Sequence, residues 1–230
     1  MVVDLNADVG EGFPDDERLI GIVTSVNVAC GFHAGSAETM RMVCELAASH
    51  DVAVGAHPSY RDREGFGRRD VDVSPDELRD DVAEQLAALF EIATEEGAFV
   101  TYVKPHGALY TRAIADGEVA RAIVDATFAY GIAMLAWPGS ELFEQARLGG
   151  MEAFAEGCAD RGYADGRLVP RDRPGALLSA PDAAAQAVAL AAAGEVRSIC
   201  VHGDSPGAAD TAAQVRAALA AAGFALRRFS

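Results

Sequence analysis

The chain has 230 residues, of which 50% are hydrophobic, and a formal net charge of −16 at pH 7. We do not expect so acidic a protein to bind nucleic acid, because phosphates would be repelled, and no apolar run approaches the length that spans a bilayer. No linker, charge run or internal repeat divides the chain, so we expect a single domain over residues 1–230.

Four cysteines are present, at Cys30, Cys44, Cys158 and Cys200, and none belongs to a Cys-x-x-Cys pair. Free, buried thiols in a reducing cytoplasm are the simplest interpretation. The chain starts on a strand-like segment without a basic, apolar signal sequence. We therefore expect a cytoplasmic protein.

The spacing of apolar residues predicts seven strands that alternate with helices. The strands are predicted at residues 2–6, 25–29, 52–56, 99–104, 132–136, 151–155 and 198–201. The helices are predicted at residues 15–22, 36–49, 74–96, 116–130, 141–148, 181–193 and 208–222. Residues 164–180 are predicted as a long loop, and residues 225–229 as a short β-like tail. This alternation predicts a parallel sheet covered by helices.

Acidic and amide side chains crowd the first strand and the turn after it. Asp4, Asn6 and Asp8 fall on the same side of an extended segment, and Glu11 follows. Such a row is unfavourable unless a cation lies opposite. The pattern indicates either a site that faces a positive group or a solvated Asp/Asn-rich turn.

Histidines follow the second and third strands. His33 lies in a glycine-flanked turn between strand and helix, and His57 follows the third strand. A lone histidine is more often structural, but this setting favours a functional role. The loop at residues 61–73 contains Gly-Phe-Gly-Arg-Arg with Arg68, which suits an anion site, a mobile lid or a merely solvated turn.

The fourth strand ends at Lys104, the only lysine among nineteen basic residues. A single lysine in an arginine-rich chain indicates a position that needs a compact ammonium, which can lose its proton when buried. His106 follows, and Gly107 lets the backbone pass close to a ligand. The alternative is a snorkelling surface lysine beside a capping histidine.

Polar or aromatic groups also follow the later strands, at Trp137, Asp160, Arg161, His202 and Asp204. In a closed β/α barrel all these positions meet at one rim, where such folds place their active sites. An open sheet would instead spread them along a wide edge. We therefore predict a closed or nearly closed barrel, irregular because it has seven strands; a doubly wound strand order would contradict this prediction.

Taken together, the polar segments resemble the LamB/YcsF (lactam-utilisation) family. The resemblance covers nearly the whole chain, through the motifs Asp-Leu-Asn-Ala-Asp-Val-Gly-Glu (4–11), Ala-Cys-Gly-Phe-His-Ala-Gly (29–35), Gly-Ala-His-Pro-Ser-Tyr (55–60), Gly-Phe-Gly-Arg-Arg (65–69), Val-Lys-Pro-His-Gly-Ala-Leu-Tyr (103–110), Ala-Asp-Arg-Gly-Tyr (159–163) and Val-His-Gly-Asp (201–204). It implies a seven-stranded TIM-like barrel of the glycoside hydrolase and deacetylase type. It also implies the A-subunit role in a 5-oxoprolinase, the ATP-dependent opening of 5-oxoproline to glutamate with partner subunits B and C.

Hydrolysis of an unstrained lactam requires activation of its carbonyl, and phosphorylation of the amide oxygen would supply that. Such a site needs cations for phosphate and carboxylate, a base for water, and ATP with Mg²⁺. No phosphate-binding glycine motif is present, so a nucleotide would bind in an unconventional site or mainly on a partner. The predicted catalytic residues are Asp8, His57, Lys104, His106, Asp160 and His202; the predicted substrate-binding residues are Asn6, His33, Arg68, Tyr110, Arg161 and Asp204.

Within this set, Lys104 and Arg161 are expected to hold anionic groups, and the histidines to move protons. Asp8, Asp160 and Asp204 would bind magnesium or orient the histidines. Two other functions stay open. One is an autonomous metal-dependent amide or sugar deacetylase on the same barrel; the other is a non-catalytic component that binds a lactam and passes it to a partner.

Overall fold

Seven parallel strands close into a barrel in the computed structural model, which describes residues 1–229. The barrel strands are β1 (Val2–Val9), β2 (Ser25–Ala29), β3 (Ala53–His57), β4 (Val100–Val103), β5 (Ala133–Ala136), β6 (Ala153–Cys158) and β9 (Ser198–Val201). β9 pairs back onto β1, from Asp4 opposite Ser198 to Ala7 opposite Val201. This pairing closes the barrel and confirms the predicted fold.

Among residues 1–229, eight helices lie between or after the strands. They are α1 (Asp16–Ile20), α2 (Ala37–Ser49), α3 (Pro75–Glu95), α4 (Gly107–Ala113), α5 (Gly117–Phe128), α6 (Glu141–Leu148), α7 (Ala180–Ala193) and α8 (Ala208–Ala221). Serine side chains cap four of them, at Ser36, Ser74, Ser140 and Ser179, by accepting a backbone N–H of the first turn. No helix among residues 1–229 is long and apolar enough to cross a membrane.

Alternation along β1 separates two environments. Val3, Leu5 and Ala7 belong to the main apolar core together with helix residues such as Val43 and Leu86. The intervening Asp4, Asn6 and Asp8 are buried as well, and they lie on the opposite face, inside the barrel. This row of two carboxylates and one amide is therefore stable inside the barrel only because other parts of the chain supply polar partners.

One end of the barrel interior is closed by a separate apolar cluster of Ala53, Tyr102, Ala133 and Leu135, with Phe154 and Phe229 packed on it. The Tyr102 ring occupies the space that a side chain at position 55 would need: a Cβ on Gly55 would lie 2.2 Å from that ring. The Tyr102 hydroxyl donates to Asn27 Oδ1 at 2.7 Å. This apolar cluster fills one end of the barrel interior. The polar groups lie at the other end, at the carboxyl ends of the strands.

The main differences from the sequence predictions concern α4, the segment after β6, and the ends of β1 and β6; β1 continues to Val9, three residues beyond its predicted end at residue 6. α4 was not predicted, and the predicted loop at residues 164–180 is entered by a small antiparallel hairpin of β7 (Tyr163–Ala164) and β8 (Arg167–Leu168). β6 continues to Cys158, three residues beyond its predicted end at 155. The tail strand β10 (Ala225–Leu226) pairs with β1 beside Val2 and Val3.

Candidate active site

A cavity of about 750 Å³ opens at the carboxyl ends of the strands. Its lining includes residues at or beyond the ends of six barrel strands and residues from the loops above them: Asp8, His57, Arg68, Lys104, His106, Tyr110, Trp137, Glu156, Cys158, Arg161, Arg171 and His202. Residues far apart in sequence, from Asp8 to His202, meet here because each lies at or beyond the end of its own strand. The barrel thus places the candidate chemistry at one rim.

Lys104 is buried at the base of this cavity, with 4% of its surface exposed. Its ammonium lies 3.1 Å from Asp8 Oδ1, 3.4 Å from Glu156 Oε2 and 3.0 Å from Cys200 Sγ. Burial alone would lower the pKa of Lys104, but Asp8, Cys200 and Glu156 outweigh it and raise that pKa well above the usual value. The expectation that Lys104 can lose its proton is therefore wrong: the structure holds it as a cation.

Asp8 is the principal counter-ion of Lys104. It also accepts a hydrogen bond from Asn27 Nδ2 at 2.8 Å. Burial opposes its ionisation, but the Lys104 charge, followed by the neighbouring His57 ring, holds the pKa of Asp8 well below its ordinary range. Asp8 is thus a permanent anion at the cavity floor.

Three histidines and Glu11 form a buried cluster beside Asp8. Glu11 Oε1 lies 3.2 Å from His33 Nε2, 3.3 Å from His106 Nδ1 and 3.9 Å from His57 Nε2. The rings of His33 and His106 stack at 3.8 Å. Burial lowers the pKa of His106 well below the usual value, and the neighbouring His33 and His57 lower it further, so His106 is a neutral imidazole able to accept a proton.

The loop at residues 61–73 covers this cluster. Gly67 adopts a positive φ of 64°, and a Cβ there would lie 2.8 Å from the His106 ring and 2.9 Å from His33 Cβ. Arg63 anchors the loop by donating to the carbonyl oxygens of Gly31 and Gly35. The loop is therefore packed against the site. Of its two adjacent arginines, Arg68 lines the cavity, whereas Arg69 pairs with Asp62.

His202 lies on the opposite wall and is paired with Asp160. Asp160 accepts from the His202 backbone N–H at 3.0 Å and from its ring Nδ1 at 2.9 Å. Burial would lower the pKa of His202, but the Asp160 carboxylate raises it to about 9. His202 is therefore an imidazolium at neutral pH and adds a second cation to the site.

Asp204 binds the side chains of two rim arginines. It pairs with Arg68 and, at 2.9 Å, with Arg171. Arg161 stands nearby, with its guanidinium anchored on the carbonyl oxygens of Ala176 and Val169. Three arginines thus converge on the cavity mouth, a composition that suits carboxylate or phosphate groups.

A model of the LamB/YcsF family matches residues 3–230. The chain belongs to the LamB/YcsF family. A relative from Streptomyces avermitilis, named as the A subunit of 5-oxoprolinase, is 48% identical, and the match covers 100% of both chains. The crystal structure of a lactam utilization protein from Thermus thermophilus matches with a TM-score of 0.92 at 38% identity, again over 100% of both chains.

A more distant match shows likeness of fold alone. The catalytic domain of a peptidoglycan N-acetylglucosamine deacetylase from Eubacterium rectale has a TM-score of 0.61 at 10% identity, over 100% of this chain and 88% of that chain. The resemblance to LamB/YcsF that the sequence motifs indicate is thus confirmed, and so is the deacetylase-like barrel.

Eight of the twelve predicted site residues of this LamB/YcsF protein line the cavity: Asp8, His57, Arg68, Lys104, His106, Tyr110, Arg161 and His202. Four do not. His33 contacts Glu11 and His106, and Asp160 and Asp204 hold His202 and the rim arginines. These three residues position others and do not border the cavity themselves.

Asn6 is a clear correction. It is fully buried below the cavity floor, where its Nδ2 donates to Ser198 at 2.7 Å and its Oδ1 accepts from Asn27 at 2.7 Å. The period of two along β1 sends Asn6 to the same side as Asp8 but one layer deeper. Its role is to connect strands, and the predicted contact with substrate is contradicted.

Two central residues, Glu11 and Glu156, are absent from the predicted site. Glu156 was missed because β6 was predicted to end at residue 155. With the strand extended to Cys158, Glu156 is inward-facing and in phase with Cys158. Glu11 stands out in the sequence as part of the acidic turn, but only the tertiary structure brings it to three histidines.

Proposed function

We propose that this LamB/YcsF protein is the A subunit of a 5-oxoprolinase, which opens 5-oxoproline to L-glutamate with consumption of ATP and together with subunits B and C. The observation that carries the proposal is the match at 48% identity, over the whole of both chains, to a relative named as the A subunit of 5-oxoprolinase. The cavity supports it, because its cations and neutral imidazole suit an anionic lactam.

The cations of the site divide into two groups. Lys104 and His202 lie at the base and on one wall, and Arg68, Arg161 and Arg171 lie at the mouth. In our proposal the arginines bind the 5-oxoproline carboxylate. Lys104 then stabilises the negative charge of the phosphoryl group carried by the lactam oxygen and of the phosphate that leaves when water completes the hydrolysis; a pre-placed donor of this kind contributes roughly a hundredfold or more to the rate.

Proton transfer falls to the histidines. His106 is neutral and faces the cavity, so it can accept a proton from an attacking water. His202, held protonated by Asp160, can donate one to the departing ring nitrogen. The two rings thus have opposite protonation states, as an acid and a base at neutral pH require.

ATP with Mg²⁺ would supply the phosphoryl group that makes the lactam carbonyl reactive. The rim arginines fit phosphate oxygens. The carboxylates of Asp160 and Asp204 already pair with His202 and with arginines, so they fit an orienting role better than a magnesium-binding one. Magnesium would then enter with the nucleotide phosphates. The free, buried cysteines support a cytoplasmic location.

The test is glutamate release from 5-oxoproline by the chain co-expressed with its partner subunits, with and without ATP. We expect release only with ATP and only with partners present. If the complex lacking this chain turns over at the full rate, the chain is dispensable for the reaction, and the catalytic assignment fails. If the chain alone deacetylates amides or sugars, the deacetylase alternative replaces our proposal.

A further inference from the structure

With Glu11 ionised and both rings neutral, the cluster of Glu11, His57 and His106 has more lone pairs than hydrogens to satisfy them. His57 Nδ1 lies 2.7 Å from the Lys104 carbonyl oxygen, and His106 Nε2 lies 2.8 Å from the Phe66 carbonyl oxygen. A carbonyl oxygen only accepts, so both nitrogens carry hydrogen and donate. When both rings are neutral, the other two nitrogens, His57 Nε2 and His106 Nδ1, face each other as lone pairs only 3.0 Å apart.

A cation between them removes this repulsion. With Glu11 Oε1, the facing nitrogens form a triangle with sides of 3.0, 3.3 and 3.9 Å. A tetrahedral metal ion with bonds of about 2.0–2.1 Å holds its donor atoms roughly 3.4 Å apart. The triangle therefore already has the size of one face of a metal coordination sphere, before any ion is bound.

We infer that Glu11, His57 and His106 form a binding site for one divalent first-row transition-metal ion. Two imidazoles and a carboxylate are donors that zinc, iron, cobalt and nickel accept, whereas magnesium prefers oxygen ligands alone. Both histidines donate their second ring N–H to a backbone carbonyl, as metal-ligating histidines usually do. The site is thus distinct from any nucleotide-bound magnesium.

His33 is a positioning residue in this site. It lies 3.2 Å from Glu11 Oε1 and can hold that carboxylate by donating from Nε2. Its ring is parallel to that of His106, with centroids 3.8 Å apart and 5° between the planes. Parallel stacked rings cannot both direct an in-plane lone pair at one ion, so His33 does not complete the ligand set.

The local charge also favours a cation. Three buried carboxylates, those of Asp8, Glu11 and Glu156, surround this floor, and Lys104 is the one lysine near them. His57 and His106 line the cavity while Glu11 lies behind them. An ion held by the three would therefore face the cavity, where it can polarise an amide carbonyl or a water. With His106 Nδ1 bound to the ion, the ion takes over from His106 the activation of the attacking water.

The test uses the purified full-length chain, stripped with a chelator and titrated with Zn²⁺, Co²⁺ and Mg²⁺ by calorimetry. We expect one Zn²⁺ or Co²⁺ per chain and much weaker Mg²⁺ binding. Glu11→Gln and His106→Gln should each weaken Zn²⁺ binding by about 100-fold or more, and His33→Asn by about 10–100-fold. The matched control is His50→Gln, an exposed histidine at a helix end, which should bind as the unmodified chain does.

Thermal unfolding gives a second measurement, since a ligand bound to the folded state raises the Tm. Zn²⁺ should raise the Tm of the unmodified chain and of His50→Gln but not of Glu11→Gln, and chelator should reverse the rise. A chain that binds no transition metal, or a Glu11→Gln chain that binds it undiminished, would overturn the site. Metal binding by the isolated chain and glutamate release by the complex are separate measurements, so either can fail without the other.

Discussion

Replacement of Lys104 by methionine tests the electrostatic core of the site. The substitution keeps most of the side-chain volume and removes the ammonium, which leaves Asp8 and Glu156 buried without their shared cation. Loss of one partner of a buried ion pair typically costs about 3–5 kcal/mol. For a chain of this length that corresponds to a fall in Tm of roughly 6–20 °C.

The effect should depend on pH with a definite sign. In the unmodified chain the lowered pKa of Asp8 contributes stability that is present above its unfolded pKa of about 4 and is lost as the pH falls. In Lys104→Met, Asp8 is buried without the ammonium, and its pKa is raised above the unfolded value of about 4. The folded chain then loses stability as the pH rises above about 4, because Asp8 must ionise without a partner. The stability difference between the two chains should therefore be largest at pH 8 and should shrink towards pH 4.

The assay is denaturant unfolding at pH 8 and pH 5, with Arg147→Met as the control because Arg147 is exposed and has only a 4.0 Å contact with Glu144. Combining Lys104→Met with Asp8→Asn should restore part of the lost stability, because one orphaned charge is then removed. A Lys104→Met chain within about 1 kcal/mol of the control at pH 8, in a complex that still releases glutamate at the full rate, would refute the reasoning.

Three further expectations concern the walls, the rim and the barrel interior. Asp160→Asn should lower the pKa of His202 from about 9. In the unmodified chain the Asp160–His202 pair contributes stability that is fully present below about pH 6.5 and is lost as the pH rises through 9. A plot of Tm against pH should therefore lack this fall in the Asp160→Asn chain. Arg68→Ala should raise the KM for 5-oxoproline about tenfold or more with little change in Tm, whereas Arg69→Ala, which removes a side chain that points away from the cavity, should leave the KM unchanged. Gly55→Ala should destabilise the fold by about 1–3 kcal/mol or more, measured by denaturant unfolding, because the new methyl group overlaps the tyrosine ring beneath it.

The barrel could be predicted because its signals are local and repeated. Each strand is a short apolar run followed by a polar turn, and the predicted strand at residues 25–29 agrees with β2 at both ends. The short helix α4 was missed because its seven residues, Gly-Ala-Leu-Tyr-Thr-Arg-Ala, begin with glycine and follow a Pro-His pair, which is typical of a turn. Tertiary contacts stabilise the helix in the folded chain: the Ala108 N–H donates to the Gly67 carbonyl of the covering loop.

The protonation states of the site could not be predicted in the same way. Sequence identifies Lys104 as unusual but does not reveal that carboxylates from β1 and β6 both reach it. Burial alone would have favoured a neutral amine, and the observed partners reverse that outcome. For His202 likewise, the deciding group is Asp160, 42 positions earlier in the chain.

The geometry also accounts for the choice of lysine over arginine at position 104. The ammonium is approached by acceptors from three strands: Asp8 of β1, Glu156 of β6 and Cys200 of β9. A compact group with three rotatable donors can serve acceptors that lie in different directions, whereas a guanidinium presents its donors in one plane. Closure of the barrel places these acceptors in different directions around one central position. A compact ammonium at that position can contact all three, which favours lysine over arginine. The two unusual features of the sequence, the lone lysine and the polar ends of all seven strands, therefore have one physical origin.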